Sequence, residues 1–230
     1  HDYRWSLAKL KQPVDKTEWW MTPQTVNAVN LPLQNALNFP AAILLPPFFD
    51  PTADPVENYG SIGGTIGHEI SHSFDDTGSQ FDAEGKLLNW WTPADYDHFK
   101  ASSDMLAAQY DTYEPLPGLH LNGKQTLGEN IADVAGLSAA YDAYRASYGG
   151  KEAPSVNGLT GDQRFFVAFG QSWRGKMRPE TLRIIVMTDG HSPDQYRADT
   201  VRNIDAWYTA FNVKPGDKLY LAPDARVKVW

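Results

Sequence analysis

Residues His68-Glu69-Ile70-Ser71-His72 place two imidazoles and a carboxylate within five positions. On a helix, residues four apart stack on one face, so His68 and His72 can turn their rings towards one metal ion. Glu69 leaves the helix in a neighbouring direction, where it can reach a water on that metal and act as general base. This is the kit of a zinc hydrolase. The bland alternative is a helix whose histidines bind nothing.

A catalytic zinc takes three protein ligands and keeps a fourth position open, so one ligand remains to be found. Downstream runs Thr126-Leu127-Gly128-Glu129-Asn130-Ile131-Ala132-Asp133, with Leu127, Ile131, Val134 and Leu137 at helical spacing. Glu129 and Asp133 share a face, and an acidic pair beside an apolar stripe is unusual for a solvated helix. Two readings stand. Glu129 binds zinc and Asp133 accepts a hydrogen bond from the far nitrogen of a ligating histidine, fixing its tautomer. Otherwise both carboxylates are exposed and incidental.

The elements that must position these groups can be read coarsely. A helix is expected from near Glu57 or Tyr59 through His72, although Gly60, Gly63, Gly64 and Gly67 each cost it roughly 1 kcal/mol relative to alanine. Tertiary packing must hold such a helix, and its small residues let other backbone approach. Residues 1–25 suggest a short helix and a loop. Thr25 to Leu45, broken by Pro32 and Pro40, suggests one or two strands with an exposed edge. Thr92 caps a helix running to about Tyr110, with Pro93 and Asp95 in its first turn. The Glu129 helix continues to about Ser147, where Gly149-Gly150 stops it. Residues 150–159 read as a mobile surface connection. Thr160 caps a helix whose Phe165, Phe166, Phe169 and Trp173 are most simply core. A last helix spans Ser192-Pro193 to about Phe211. The layout is α+β, mainly α-helical, without alternating βαβ units. Asp75 to Gly85 is acidic but lacks the spacing of a calcium loop, so a structural turn is preferred there. Asp75 or Asp76 could orient His72.

Composition narrows the function. The chain has 230 residues, 42% of them hydrophobic, with 8 Trp, 11 Tyr and 10 Phe, ample for a core. A formal charge of -8 without a basic patch disfavours nucleic acid and anionic membrane surfaces. No run approaches 18 apolar residues, so no membrane span is expected. The opening His1-Asp2-Tyr3-Arg4 shows no signal peptide and reads as the start of a mature or trimmed piece. Cysteine is absent, which excludes disulfides and cysteine–zinc sites.

The segments H-E-I-S-H-S-F-D-D at 68–76 and G-E-N-I-A-D at 128–133 resemble the neprilysin and endothelin-converting-enzyme family of zinc peptidases. Val26-Asn27-Ala28, Phe39-Pro40-Ala41-Ala42-Ile43-Leu44, Pro46-Pro47-Phe48-Phe49, Gly78-Ser79-Gln80-Phe81-Asp82, Asn89-Trp90-Trp91-Thr92 and Asp189-Gly190-His191-Ser192-Pro193 follow in the family's order. The resemblance covers about residue 11 to Trp230. It implies a thermolysin-like zincin (gluzincin) catalytic domain with one zinc per chain on His68, His72 and Glu129. It implies Glu69 as general base, and a zinc endopeptidase that cuts short peptides on the amino side of large hydrophobic residues. His191 matches the family's transition-state-stabilising histidine, and Asp189 could keep its imidazole protonated or oriented. Asn27 and Ala28 match backbone contacts to substrate along a strand edge. Arg197 matches an arginine that grips a substrate carbonyl or carboxylate; a helix-surface salt bridge is its alternative. His1, His98 and His120 lack such surroundings and read as surface or structural.

Val29-Asn30 departs from the family, which usually follows Asn-Ala with an aromatic residue. Family members are about three times as long, so residues 1–230 are expected to be a C-terminal catalytic portion lacking an N-terminal capping domain. That portion is expected to be extracytoplasmic, periplasmic or secreted. The missing cysteines and the absence of any Asn-x-Ser/Thr site favour a bacterial source. The rival readings are a catalytically silent peptide-binding module, a fragment active only with a separate N-terminal chain, and a different zinc hydrolase such as an aminopeptidase. The last would need an acidic anchor for a substrate amino terminus, and no Gly-x-Met-Glu-Asn segment is present.

Overall fold

The computed structural model describes residues 2–230; the reading of His1 lies outside them. Helix α1 (Asp2–Lys9) leads through a loop to a hairpin of β1 (Val29–Leu31) and β2 (Ala36–Asn38), paired antiparallel with Val29 opposite Asn38. The rest is helical: α2 (Pro55–Asn58), α3 (Gly64–Ser71), α4 (Pro93–Asp111), α5 (Leu127–Ser147), α6 (Gly161–Ser172), α7 (Pro179–Thr188), α8 (Asp194–Ala198) and α9 (Asp205–Phe211). The mainly helical fold read from the sequence is the fold observed. No helix among the described residues is long and apolar enough to cross a membrane.

The helix expected from about residue 57 through His72 is not one regular helix. A π-helical turn, Tyr59–Gly63, separates α2 from α3, and a 3-10 turn, His72–Phe74, follows. Four glycines weaken α-helical geometry here, so packing decides the local winding. Helix α3 crosses α5 backbone against backbone. A Cβ on Gly67 would lie 2.3 Å from the Gly136 carbonyl oxygen, and one on Gly136 would lie 2.3 Å from the His68 nitrogen. The crossing therefore tolerates no side chain at either position.

On the far side, α5 and α6 bury an aromatic cluster with Leu137, Tyr144, Phe165, Phe166 and Phe169. A second cluster joins α4 to α5 through Phe99, Leu106, Tyr110, Ile131 and Val134, and the irregular C-terminal tail adds Val227 and Val229. Thr92 caps α4 as expected, accepting from the Asp95 backbone N–H. Thr160 and Gln163 form a reciprocal capping box on α6. Gly149 and Gly150 end α5 at φ 63° and 79°.

Residues 150–159 lie mostly on the surface, as expected, and are tied down at two points: Ala153 is buried and donates its N–H to the Tyr144 hydroxyl, while Arg164 donates to the Pro154 carbonyl. One further expectation needs correction. The helix expected from about 192 to 211 divides into α8, a 3-10 stretch and α9. Ile204 is extended there, and the buried Asn203 amide turns aside to bond Gln109 and the Val227 N–H. Helix α7 was not anticipated, although Pro179-Glu180 is an ordinary helix start.

Candidate active site

Helix α3 presents His68, and the 3-10 turn that continues it presents His72, towards the first turn of α5. Their Nε2 atoms are 3.0 Å apart. Glu129 brings Oε2 to 3.2 Å from His68 Nε2 and Oε1 to 3.5 Å from His72 Nε2. One ligand atom from each residue lies within 4.8 Å of the others, the one such cluster among the described residues. The carboxylates beside it are neither exposed nor incidental. Asp133 is buried and accepts from His68 Nδ1 at 2.8 Å. Asp75, also buried, accepts from His72 Nδ1 at 2.6 Å. Each bond places a proton on Nδ1 and turns the Nε2 lone pair inward.

This arrangement fits a divalent cation. Two inward lone pairs and a carboxylate repel one another unless a positive charge sits among them. Glu129 Oε2 is buried and faces His68 Nε2 at 3.2 Å and Arg197 Nη2 at 3.5 Å. Burial disfavours charge on His68, yet the hydrogen bonds it donates to Asp133 and Glu129 outweigh it and raise its pKa to about 9. Burial would raise Glu129 too, but the His68 hydrogen bond and the charges of His68, His72 and Arg197 hold it below its usual value. Surroundings that favour a proton on His68 favour a metal ion at the same nitrogen. Two imidazoles and one carboxylate are the donor set of a three-ligand zinc site.

Glu69 is only 5% exposed, and burial pushes its carboxyl pKa up, against the opposing charges of His68 and His72. It lines the same cavity of about 590 Å³ as the three clustered residues. Asn27 and Ala28 stand at the wall of this cavity, and the ladder with β2 begins only at Val29, leaving their backbone outside it. Asn30 joins the hairpin to α3: its Nδ2 donates to the Glu69 carbonyl and to Ser73 Oγ.

His191, in the loop between α7 and α8, is 53% exposed. Its Nδ1 donates to Asp189 Oδ1 at 2.7 Å, and its Nε2 lies 3.3 Å from Glu129 Oε1. Arg197 on α8 is not on the surface: it is 8% exposed and grips Asp133 with two bonds, Nε to Oδ2 at 2.9 Å and Nη2 to Oδ1 at 2.8 Å. Its guanidinium lies 4.0 Å over the Trp173 ring. Burial would raise the Asp133 carboxyl, but Arg197 and the His68 hydrogen bond hold it far below its ordinary value. Arg197 is thus the partner of Asp133 as well as a cavity residue, and the Nη1 end makes no hydrogen bond within the described residues.

Trp173, read as core, packs against the α5–α6 cluster and also lines the cavity and supports Arg197. No local signal separates it from the buried Phe169 one turn earlier. The acidic stretch after His72 is a structural turn, as preferred: Asp75 Oδ1 accepts from Thr77 N and Gly78 N, and Asp82 accepts from Glu84 N and Lys86 N. His98 and His120 are exposed.

Comparison with known proteins agrees with this geometry. Residues 27–227 match peptidase family M13. Neprilysin-3 of Drosophila melanogaster is 42% identical over 231 residues, covering 98% of this chain and 29% of that protein. A neutral endopeptidase of Lactobacillus helveticus is 40% identical over 228 residues, covering 99% of this chain and 33% of that protein. A zinc metalloprotease of Mycobacterium tuberculosis, solved in complex with an inhibitor, superimposes with a TM-score of 0.96 at 49% identity, covering all of this chain and 36% of that one. The chain spans about a third of the length of these relatives. With the family matched across residues 27–227 and the histidines and carboxylates gathered at one point, the chain belongs to peptidase family M13.

Proposed function

We propose that this chain is the catalytic portion of a zinc-dependent endopeptidase that hydrolyses internal bonds of short peptides. His68, His72 and Glu129 would hold one zinc ion, and Asp133 and Asp75 would orient the two imidazoles. The observation that carries the reading is the placement of Glu69: a buried carboxyl beside the three-residue cluster, opening into the same cavity. A peptide-binding module has no use for a base there.

When bound, zinc supplies Lewis acidity and lowers the pKa of water. Glu69 takes the proton of the attacking water and passes it to the leaving amine; its raised pKa brings the carboxyl closer to the range useful for both transfers. Asp189 accepts from Nδ1–H and so leaves Nε2 facing the cavity, where the imidazole, carrying its second proton, would donate to the oxygen that gains negative charge. Asn27 and Ala28 offer unladdered backbone to an extended peptide. Arg197 Nη1 and its neighbours offer donors to a substrate carbonyl or carboxylate beyond the cleaved bond. Preference for a large hydrophobic residue on the carboxyl side of that bond is supported by Ile43, Phe48, Phe169 and Trp173 in the cavity wall. The relatives' length supports a longer protein, in which an N-terminal domain or separate chain limits access to short peptides. Extracytoplasmic placement, periplasmic or secreted, is part of the same reading.

The test is incubation of the purified chain with a mixture of short peptides, with products read by mass spectrometry against Glu69→Gln. Internal cleavage that the variant loses by about 10²–10⁴-fold, with metal content unchanged, is the expected result. Equal cleavage by both proteins overturns the assignment of Glu69. No cleavage by a fully metal-loaded chain favours the silent module, or a requirement for the N-terminal part.

A further inference from the structure

His191 is an exposed imidazole in a short loop, yet two polar contacts fasten that loop to the start of α5, and a third braces one of their partners. Ser192, 2% exposed, donates from Oγ to Asn130 Oδ1 at 2.8 Å. Asn130, with no exposure, donates from Nδ2 to Thr126 Oγ1 at 2.8 Å. Gln125 Nε2 donates to the Asp189 carbonyl at 2.7 Å. Asp189 in turn accepts from both the backbone N–H and Nδ1 of His191.

The anchors at Gln125, Thr126 and Asn130 bracket Glu129. The imidazole and the Glu129 carboxylate are therefore fixed to one rigid turn rather than to separate elements. A buried amide and a buried hydroxyl each carry a desolvation cost that apolar residues would avoid, and what they hold in common is the position of His191. We propose that Asn130, Ser192 and Gln125 form a polar clasp that sets the distance between His191 and Glu129, and that they are positioning residues for stabilisation of the tetrahedral transition state. The proposal rests on the role of His191 given above.

The clasp acts through His191, so its removal should matter only where His191 is present. The experiment is a double-mutant cycle of Ser192→Ala with His191→Phe, repeated with the exposed-site variant Gln125→Ala in case Ser192→Ala folds poorly. Two quantities are read: kcat and KM on one cleaved peptide, and the Kd of a peptide phosphonamidate, whose tetrahedral anionic phosphorus stands in for the transition state. Misplacing a catalytic group by a fraction of an ångström predicts a loss of about tenfold in kcat and in phosphonamidate affinity, with KM and bound metal unchanged. In the His191→Phe background the same substitutions should cost nothing further. Equal losses in both backgrounds, or no loss in a normally folded Ser192→Ala chain, overturn the clasp. Normal turnover by His191→Phe alone overturns the role of His191 itself, which separates the two failures.

Discussion

Helix α5 serves two regions built on opposite principles. Its first half, Glu129 to Gly136, meets α3 backbone to backbone, and its polar side chains there are spent on hydrogen bonds, Asp133 with His68 and Arg197 and Asn130 with Thr126 and Ser192, while Ile131 and Val134 face the cluster with α4. Its second half, Leu137 to Tyr144, meets α6 through stacked and edge-on rings of Tyr141, Tyr144, Phe165 and Phe166. The aromatic half is held by apolar area, which adapts to small changes. The polar half is held by direction and charge, which do not. Chemistry sits where the geometry is least adjustable, and apolar burial, through Ile131 and Val134 on the same half and the rings of the next, supplies stability around it.

Phe165→Ala should break the aromatic half by about 3–5 kcal/mol of folding stability, read by urea denaturation. The folded protein should keep its kcat/KM, and a matching loss of kcat/KM would show that the two halves are not separable. Asp133→Asn acts on the polar half. It keeps an oxygen for His68 but removes the charge facing Arg197. Metal affinity should fall about 10–100-fold in competition titrations against a chelator, and stability should fall with it because the guanidinium remains buried. A stability loss with metal affinity intact would mean that Asp133 serves only Arg197. Tyr144→Phe sharpens the contrast at the small end. It deletes one hydroxyl that accepts from Ala153 N–H and leaves the ring in place. About 1 kcal/mol should be lost, without change in kcat; a larger loss would mean that loop 150–159 supports more than its own turn.

The site was legible in the sequence where its geometry is local. His68, Glu69 and His72 sit on one helical turn, as do Glu129 and Asp133, so spacing alone put them on shared faces. Asp75 was readable as a neighbour of His72 for the same reason. The pairing of Arg197 with Asp133 spans 64 positions, and no spacing rule reaches that far. The cavity side of Trp173 was unreadable because one aromatic stripe on α6 serves the core along most of its length and the cavity at its end. The fold was legible at helix starts with strong caps, Thr92 and Thr160. It was misread where packing overrides propensity: in the glycine-rich turn before α3, and at Ile204, where the buried Asn203 interrupts a pattern that otherwise continues.

The π-helical turn at Tyr59–Gly63 has a consequence for insertions and deletions. It carries one residue more than an α-helical turn would, so it absorbs that residue while the helix on either side keeps its rotational register. Deleting a single residue there removes no reactive group and lets the turn close as an ordinary α-helical one, with His68 and His72 on nearly the same face relative to α2. Deleting a residue between Gly64 and Gly67, where no wide turn absorbs the change, would swing both histidines about 100° around the axis relative to α2. A one-codon change in that stretch would turn the proposed metal-holding pair into two ordinary histidines on the wrong side of a helix.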